Sequence, residues 1–158
     1  MNLKKLRPYI ISAGIALAVG LLSGLLSMGG MEVYSASVIK PALTPPSGLF
    51  PVVWTILYIL MGISAARVWM TSDSAARSQG LNLYVAQLIV NFFWSLIFFN
   101  AQAFGFAVLW LLLLWVLVVL MIRQFYKVDK AAALLQIPYL IWLTFAAYLN
   151  IGVWYLNK

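Results

Sequence analysis

From Tyr9 onward the chain alternates between long apolar runs and short polar breaks. The runs cover approximately residues 9–29, 49–70, 81–99, 104–125 and 131–156. Each holds about 20 residues, enough at roughly 1.5 Å per residue to cross a hydrocarbon core of about 30 Å as a helix. Lipid offers no partner to a free N–H or C=O, so helices are the expected form. The connectors TSDSAARSQG, NAQA and YKVDK are short and predict antiparallel neighbours. The pattern predicts an all-α integral membrane protein: a five-transmembrane-helix bundle forming a single transmembrane domain over residues 1–158, with a longer outer loop at 30–48.

Inside the runs, polar and small residues fall on faces. Ser12, Ala16, Gly20 and Gly24 recur every fourth residue of the first run, and GLLSG is a GxxxG pattern. Small residues in that register let two helices approach closely, either within one bundle or in a homodimer. Trp54, Tyr58, Met61, Gly62 and Ala65 share a face of the second helix, and Gln87, Asn91, Ser95 and Phe98, with Trp94 beside them, share one of the third. On the fifth, Pro138, Trp142, Phe145, Ala146 and Leu149 line up, and Pro138 kinks the helix by freeing the carbonyl of Leu134. Together these faces predict an apolar, aromatic-lined cavity with a few hydrogen-bonding groups, in which Gly62 and Ala146 leave room. For each residue taken singly, ordinary helix packing is the competing explanation.

Composition narrows the chemistry. The chain is 65% hydrophobic and 8% charged, against about 25% charged residues in soluble domains. Cysteine and histidine are absent, which removes disulfides, thiolate chemistry and imidazole bases, and no metal site is expected. The acids Glu32, Asp73 and Asp129 are far apart, so neither a carboxylate dyad nor a hard-cation site is expected. No ionisable residue sits mid-span, which argues against a proton-coupled pump or ion channel. The first run is too long for a signal-peptide core and reads as a span.

The net charge of +7 fits loops facing an anionic leaflet better than nucleic acid. Lys4, Lys5, Arg7, Arg67, Arg77, Arg123, Lys127 and Lys130 gather at one side, against Lys40 and Lys158 at the other. That bias predicts a cytoplasmic N-terminus and an external C-terminus.

One stretch interrupts the apolar pattern: KPALTPPSGLFPVVW, residues 40–54. Pro41, Pro45, Pro46 and Pro51 stiffen it, so it loses less entropy when held in one shape. Ser47 is the expected N-cap of the following helix, with Pro51 in or near its first turn.

KPALTPP and FPVVWTILYILMG together resemble the signature of the translocator protein (TspO/MBR) family, the tryptophan-rich sensory proteins. NFFWSLIFF resembles that family's third-helix motif, and IPYLIW followed by Tyr148-Leu149-Asn150 its fifth. The likeness runs in order along essentially the whole chain. It implies a five-helix bundle, often dimeric, in a bacterial cytoplasmic membrane, with a pocket opening toward the first loop. It implies binding of porphyrins such as protoporphyrin IX and haem, with no required cofactor. Trp54, Tyr58, Gln87, Asn91, Trp94, Pro138, Trp142, Phe145 and Ala146 are the expected contacts, beneath a lid of Pro41, Leu43, Pro45 and Pro46. Some bacterial members break down porphyrin in light, which makes Trp54 and Trp142 the candidate reactive residues. The remaining alternatives are transport of the same ligands and a purely structural membrane protein. A short cholesterol-recognition pattern is met twice, ending at Lys130 and at Lys158, and so discriminates little.

Overall fold

A computed structural model describes residues 3–158. Its helices are α1 (Leu3–Ser37), α2 (Leu49–Trp69), α3 (Ala75–Ser95), α4 (Phe104–Val128), α5 (Lys130–Leu135) and α6 (Ile137–Leu156). A π-helical turn, Leu96–Asn100, extends α3. Five segments are long and apolar enough to cross a membrane, the fifth made of α5 and α6 together.

The breaks have local causes. Pro138 lies in the first turn of α6. It has no N–H to offer the carbonyl of Leu134, and the continuous helix splits at Gln136. Asp129 caps α5 by accepting from the Ala132 N–H at 3.0 Å, and Ser74 caps α3 by accepting from the Arg77 N–H at 3.1 Å.

Three boundaries differ from the sequence expectation. The outer loop is not 30–48, because α1 continues through Gly29-Gly30 to Ser37. A side chain at Gly30 would run into the backbone of Phe99 and the Asn100 amide, and Tyr34 packs on Phe98 and Phe99 at 5.4 and 5.3 Å. Close packing thus overrides the low helix propensity of the glycine pair. Helix α3 begins at Ala75 rather than 81, started by its serine cap. Ser47 is not a cap: Gly48 holds that position with helical dihedrals, and Leu49 N–H donates to the Pro46 carbonyl at 3.0 Å.

The five spans form a closed ring. Helix α1 packs on α2 and α3, α2 packs on α5, and α4 lies between α3 and the α5–α6 arm. Trp110 and Trp115 of α4 fix this order, the first donating to the Val90 carbonyl of α3 (2.7 Å), the second to Thr144 of α6 (3.0 Å). Spans α3 and α6 therefore run in the same direction and face each other across the interior. Lys4, Lys5, Arg7, Arg67, Arg77, Arg123, Lys127 and Lys130 lie at one end, the basic end, and the proline-rich loop with Lys40 at the other, the loop end.

The small residues of α1 serve this internal packing. Gly20 lies against the Tyr58 ring, and Gly62 against the backbone of Ser12 and Ala13. Ser23 donates to the Phe92 carbonyl at 2.9 Å. Gly62 thus brings α1 close to α2 and leaves no room for a ligand there. Gly24, by contrast, has open space around it.

Candidate ligand-binding site

The interior faces of α2, α3 and α6 meet through one chain of hydrogen bonds. Tyr58 donates its hydroxyl to Asn91 Oδ1 at 2.8 Å, Asn91 Nδ2 donates to the Tyr139 hydroxyl at 2.6 Å, and Tyr139 donates to Gln87 Oε1 at 2.8 Å. Gln87 Nε2 reaches Met61 Sδ at 3.8 Å. All five side chains are buried. Each amide and phenol satisfies another, which removes most of the desolvation cost of holding polar groups in lipid.

Aromatic rings continue from this chain toward the loop end. Trp54 packs on Tyr58 (centroids 5.6 Å apart) and edge-on to Tyr139 (6.2 Å). Next to it, Phe50 meets Trp142 at 5.9 Å, Trp142 meets Phe145 at 5.6 Å, and Phe145 stacks on Tyr148 at 6.1 Å. Phe50, Trp54, Trp142 and Phe145 are only half-buried. They form a broad apolar wall with its polar groups one layer deeper.

The proline-rich loop lies along α6 beside this wall. Asn157 accepts from the Ile39 N–H at 2.9 Å and donates to the Ile39 carbonyl at 2.8 Å. Pro41 occupies the notch over Gly152, where a side-chain carbon would come within 2.6 Å of its ring. Tyr148 donates to the Ala42 carbonyl at 2.8 Å. Thr44 closes the turn on the Pro41 carbonyl at 2.7 Å. Leu43 sits at its apex with φ 67°, a left-handed conformation that costs a leucine roughly 1–2 kcal/mol. Its side chain is 79% exposed, so at this position it points away from the wall.

At the basic end the contacts are ionic. Arg67 pairs with Asp129 at 2.8 Å, and Arg77 pairs with Asp73 at 2.7 Å while its guanidinium lies over Trp69. Burial alone would push the Asp129 carboxyl up, but the Ala132 N–H and the Arg67 guanidinium outweigh it and hold the group below the usual carboxylate range.

The TspO/MBR family profile matches residues 12–156. The Tryptophan-rich protein TspO of Chlorobaculum tepidum is 36% identical over 158 residues, covering 98% of each chain. Protein CrtK of Rhodobacter capsulatus is 38% identical, over 99% of this chain and 95% of its own. The Translocator protein of Sus scrofa is 34% identical, over 96% of this chain and 92% of its own.

The chain belongs to the TspO/MBR family. It is an integral membrane protein of five spans, and the residues expected from the family motifs separate into groups. Tyr58, Gln87 and Asn91 lie in the buried chain, and Trp54, Trp142 and Phe145 in the wall. Ala146 is partly buried against the core cluster that contains Tyr139. Trp94 lies between two clusters: it packs on that same core, and it stacks on Phe98 at 5.0 Å and donates to Asn150 Oδ1 at 3.2 Å, beside α4. Pro138 is exposed on the outside of the bundle. The inward stripe of α6 is Tyr139, Leu143, Asn150 and Val153, and the face containing Pro138 and Trp142 lies one residue round from it.

The sequence reading missed Tyr139, which joins both amides of α3. Its signal was present: Gln136, Tyr139, Leu143 and Asn150 keep a helical period that Pro138 obscures. Phe50, Tyr148 and Asn157 were missed because their partners are distant in sequence. The arrangement can stack and hydrogen-bond.

Proposed function

We propose that this protein is a membrane-embedded binder and sensor of porphyrins, protoporphyrin IX and haem, and of similar flat lipophilic molecules. The observation that carries this reading is the half-buried wall of Phe50, Trp54, Trp142 and Phe145 beside a pinned loop. Such a wall offers stacking area to a planar macrocycle, while the amides and phenols behind it offer hydrogen bonds to polar edges. The relatives' names, tryptophan-rich sensory protein among them, support a sensing role. Haem is held by the pocket, since the chain has neither His nor Cys to ligate iron. The lid residues Pro41, Pro45 and Pro46, with Leu43 at the apex, cover the mouth on the external side, and the N-terminus is cytoplasmic, in a bacterial plasma membrane. A second copy docks on the open face of α1 that carries Gly24.

The test is a dark titration of reconstituted protein with protoporphyrin IX, followed by tryptophan quenching, beside the Trp54→Phe/Trp142→Phe double variant. Saturable quenching that weakens in the variant is expected. Linear quenching, identical in both, means partitioning into lipid and overturns the reading. A second reading, light-dependent porphyrin breakdown, is favoured by the contact of Trp54 with the two phenols Tyr58 and Tyr139. Pigment loss under illumination that persists unchanged in Trp142→Phe removes that residue from any such reaction.

A further inference from the structure

Among the described residues, the buried polar atoms lacking a hydrogen-bond partner are Ser27 Oγ, Arg67 Nε, Tyr84 Oη, Gln124 Oε1 and both amide atoms of Gln136. All except Ser27 belong to the half of the bundle nearer the basic end. In the loop half, by contrast, Tyr58, Asn91, Trp94 and Asn150 all have partners.

Two of the unpartnered groups share a register. Tyr84 precedes Gln87 by three residues, Gln136 precedes Tyr139 by three, and Gln87 is hydrogen-bonded to Tyr139. Because α3 and α6 run in the same direction, both groups lie about 4.5 Å nearer the basic end than that bond, on the same inward faces. The two helices do not pack backbone to backbone; Tyr139 bridges the distance between them. One turn below, neither Tyr84 Oη nor the Gln136 amide has a hydrogen-bond partner among the described residues.

Neither group is occupied by helix ending. At the α5–α6 break the Gln136 N–H already donates to the Ala133 carbonyl and its C=O accepts from Leu140, both at 3.1 Å. Its amide is free of that task and is fully buried. Tyr84 is held by its ring against Phe125, 6.5 Å between centroids, which leaves the hydroxyl uncommitted.

We infer that Tyr84 and Gln136 hold ordered water in the basic half of the bundle. An amide with two N–H donors and one acceptor, at the same level of the bundle as a hydroxyl that both donates and accepts, supplies the two to four bonds a buried water needs. The site prolongs the polar chain Tyr58–Asn91–Tyr139–Gln87 toward the basic end. Gln124, whose Cβ lies beside Gly80 one turn below Tyr84, and Arg67 mark the way to the surface. Solvent thus reaches the interior from the side opposite the loop, whatever ligand the aromatic wall takes.

The experiment is synchrotron hydroxyl-radical footprinting of the full chain in nanodiscs, because radicals formed from bound water oxidise the side chains next to it. Tyr84, only 7% exposed, is expected to be oxidised several-fold faster than Phe125, which is 0% exposed. Gln136→Leu is expected to lower the Tyr84 rate several-fold and leave exposed Trp69 unchanged. Labelling of Tyr84 no faster than Phe125, or unaltered by the variant, overturns the site. Thermal unfolding gives an independent reading that includes Gln136→Met and Tyr84→Phe in case the leucine variant does not fold. Loss of a hydrated group lowers the melting temperature, whereas removal of a dry, unpartnered one raises it.

Discussion

The loop end and the basic end of this bundle both bring helices out of lipid, but they are held by different physics. At the loop end Lys40 and Lys158 make only local contacts, to Ser35, Tyr34, Trp154 and Tyr155. The long-range fastenings there are neutral: Asn157 to Ile39, Tyr148 to Ala42, Pro41 in the notch of Gly152. Their partners are 106 to 118 residues apart in sequence for the hydrogen bonds, so they exist only once the fold is complete. At the basic end most fastenings are local, such as Ser74 to Arg77 and Arg77 to Asp73, with Arg67–Asp129 as the long-range tie. Local contacts need little loop closure, so a region held by them depends less on the rest of the fold. One held by distant neutral contacts reports on the whole tertiary structure.

The comparison can be broken most forcefully where both halves are joined. Gly62→Val places methyl groups into the backbone of Ser12 and Ala13 and is expected to cost about 3 kcal/mol or more, read as a collapse of thermal stability in detergent. Tyr139→Phe leaves Asn91 and Gln87 each short of a partner and is expected to cost about 2–4 kcal/mol by the same measurement. An unchanged melting temperature would mean that the chain of amides and phenols does not hold the core.

Smaller changes separate the ends. Asn157→Ala removes both bonds to Ile39, and the expected loss of about 1–2 kcal/mol is local. Hydrogen exchange at residues 38–48 is expected to accelerate while residues 75–95 keep their protection. Acid should act at the other end. The folded pKa of Asp129 lies below its unfolded value, so its contribution is complete above the ordinary carboxylate range and is lost as pH falls from there through the lower folded value. Stability is expected to decline below about pH 4, and Asp129→Asn to flatten that decline, in pH-dependent unfolding. The smallest effect belongs to Leu43→Asn, which suits the left-handed apex better and is expected to gain at most about 1 kcal/mol, seen as slower proteolysis of the loop.

The sequence by itself determined the membrane class, the number of spans and which helix faces carry aromatic and amide side chains. Those follow from length, hydropathy and period, which are local properties of the chain. It also put Tyr58 on an inward face of α2 and Gln87 and Asn91 on one of α3, because a helical face can be read from spacing alone. The tertiary structure decided the rest. It continued α1 through Gly29-Gly30, since the gain from packing Gly30 and Tyr34 on Phe99 is invisible to propensity. It turned Pro138 outward and Tyr139 inward, a difference of one residue that depends on where the break at Gln136 sets the phase of α6. It assigned Gly62 to a helix contact rather than a cavity. It also placed Tyr84 and Gln136 one turn below the last bridge between α3 and α6, because the ring order of helices, which no local pattern encodes, decides which faces meet.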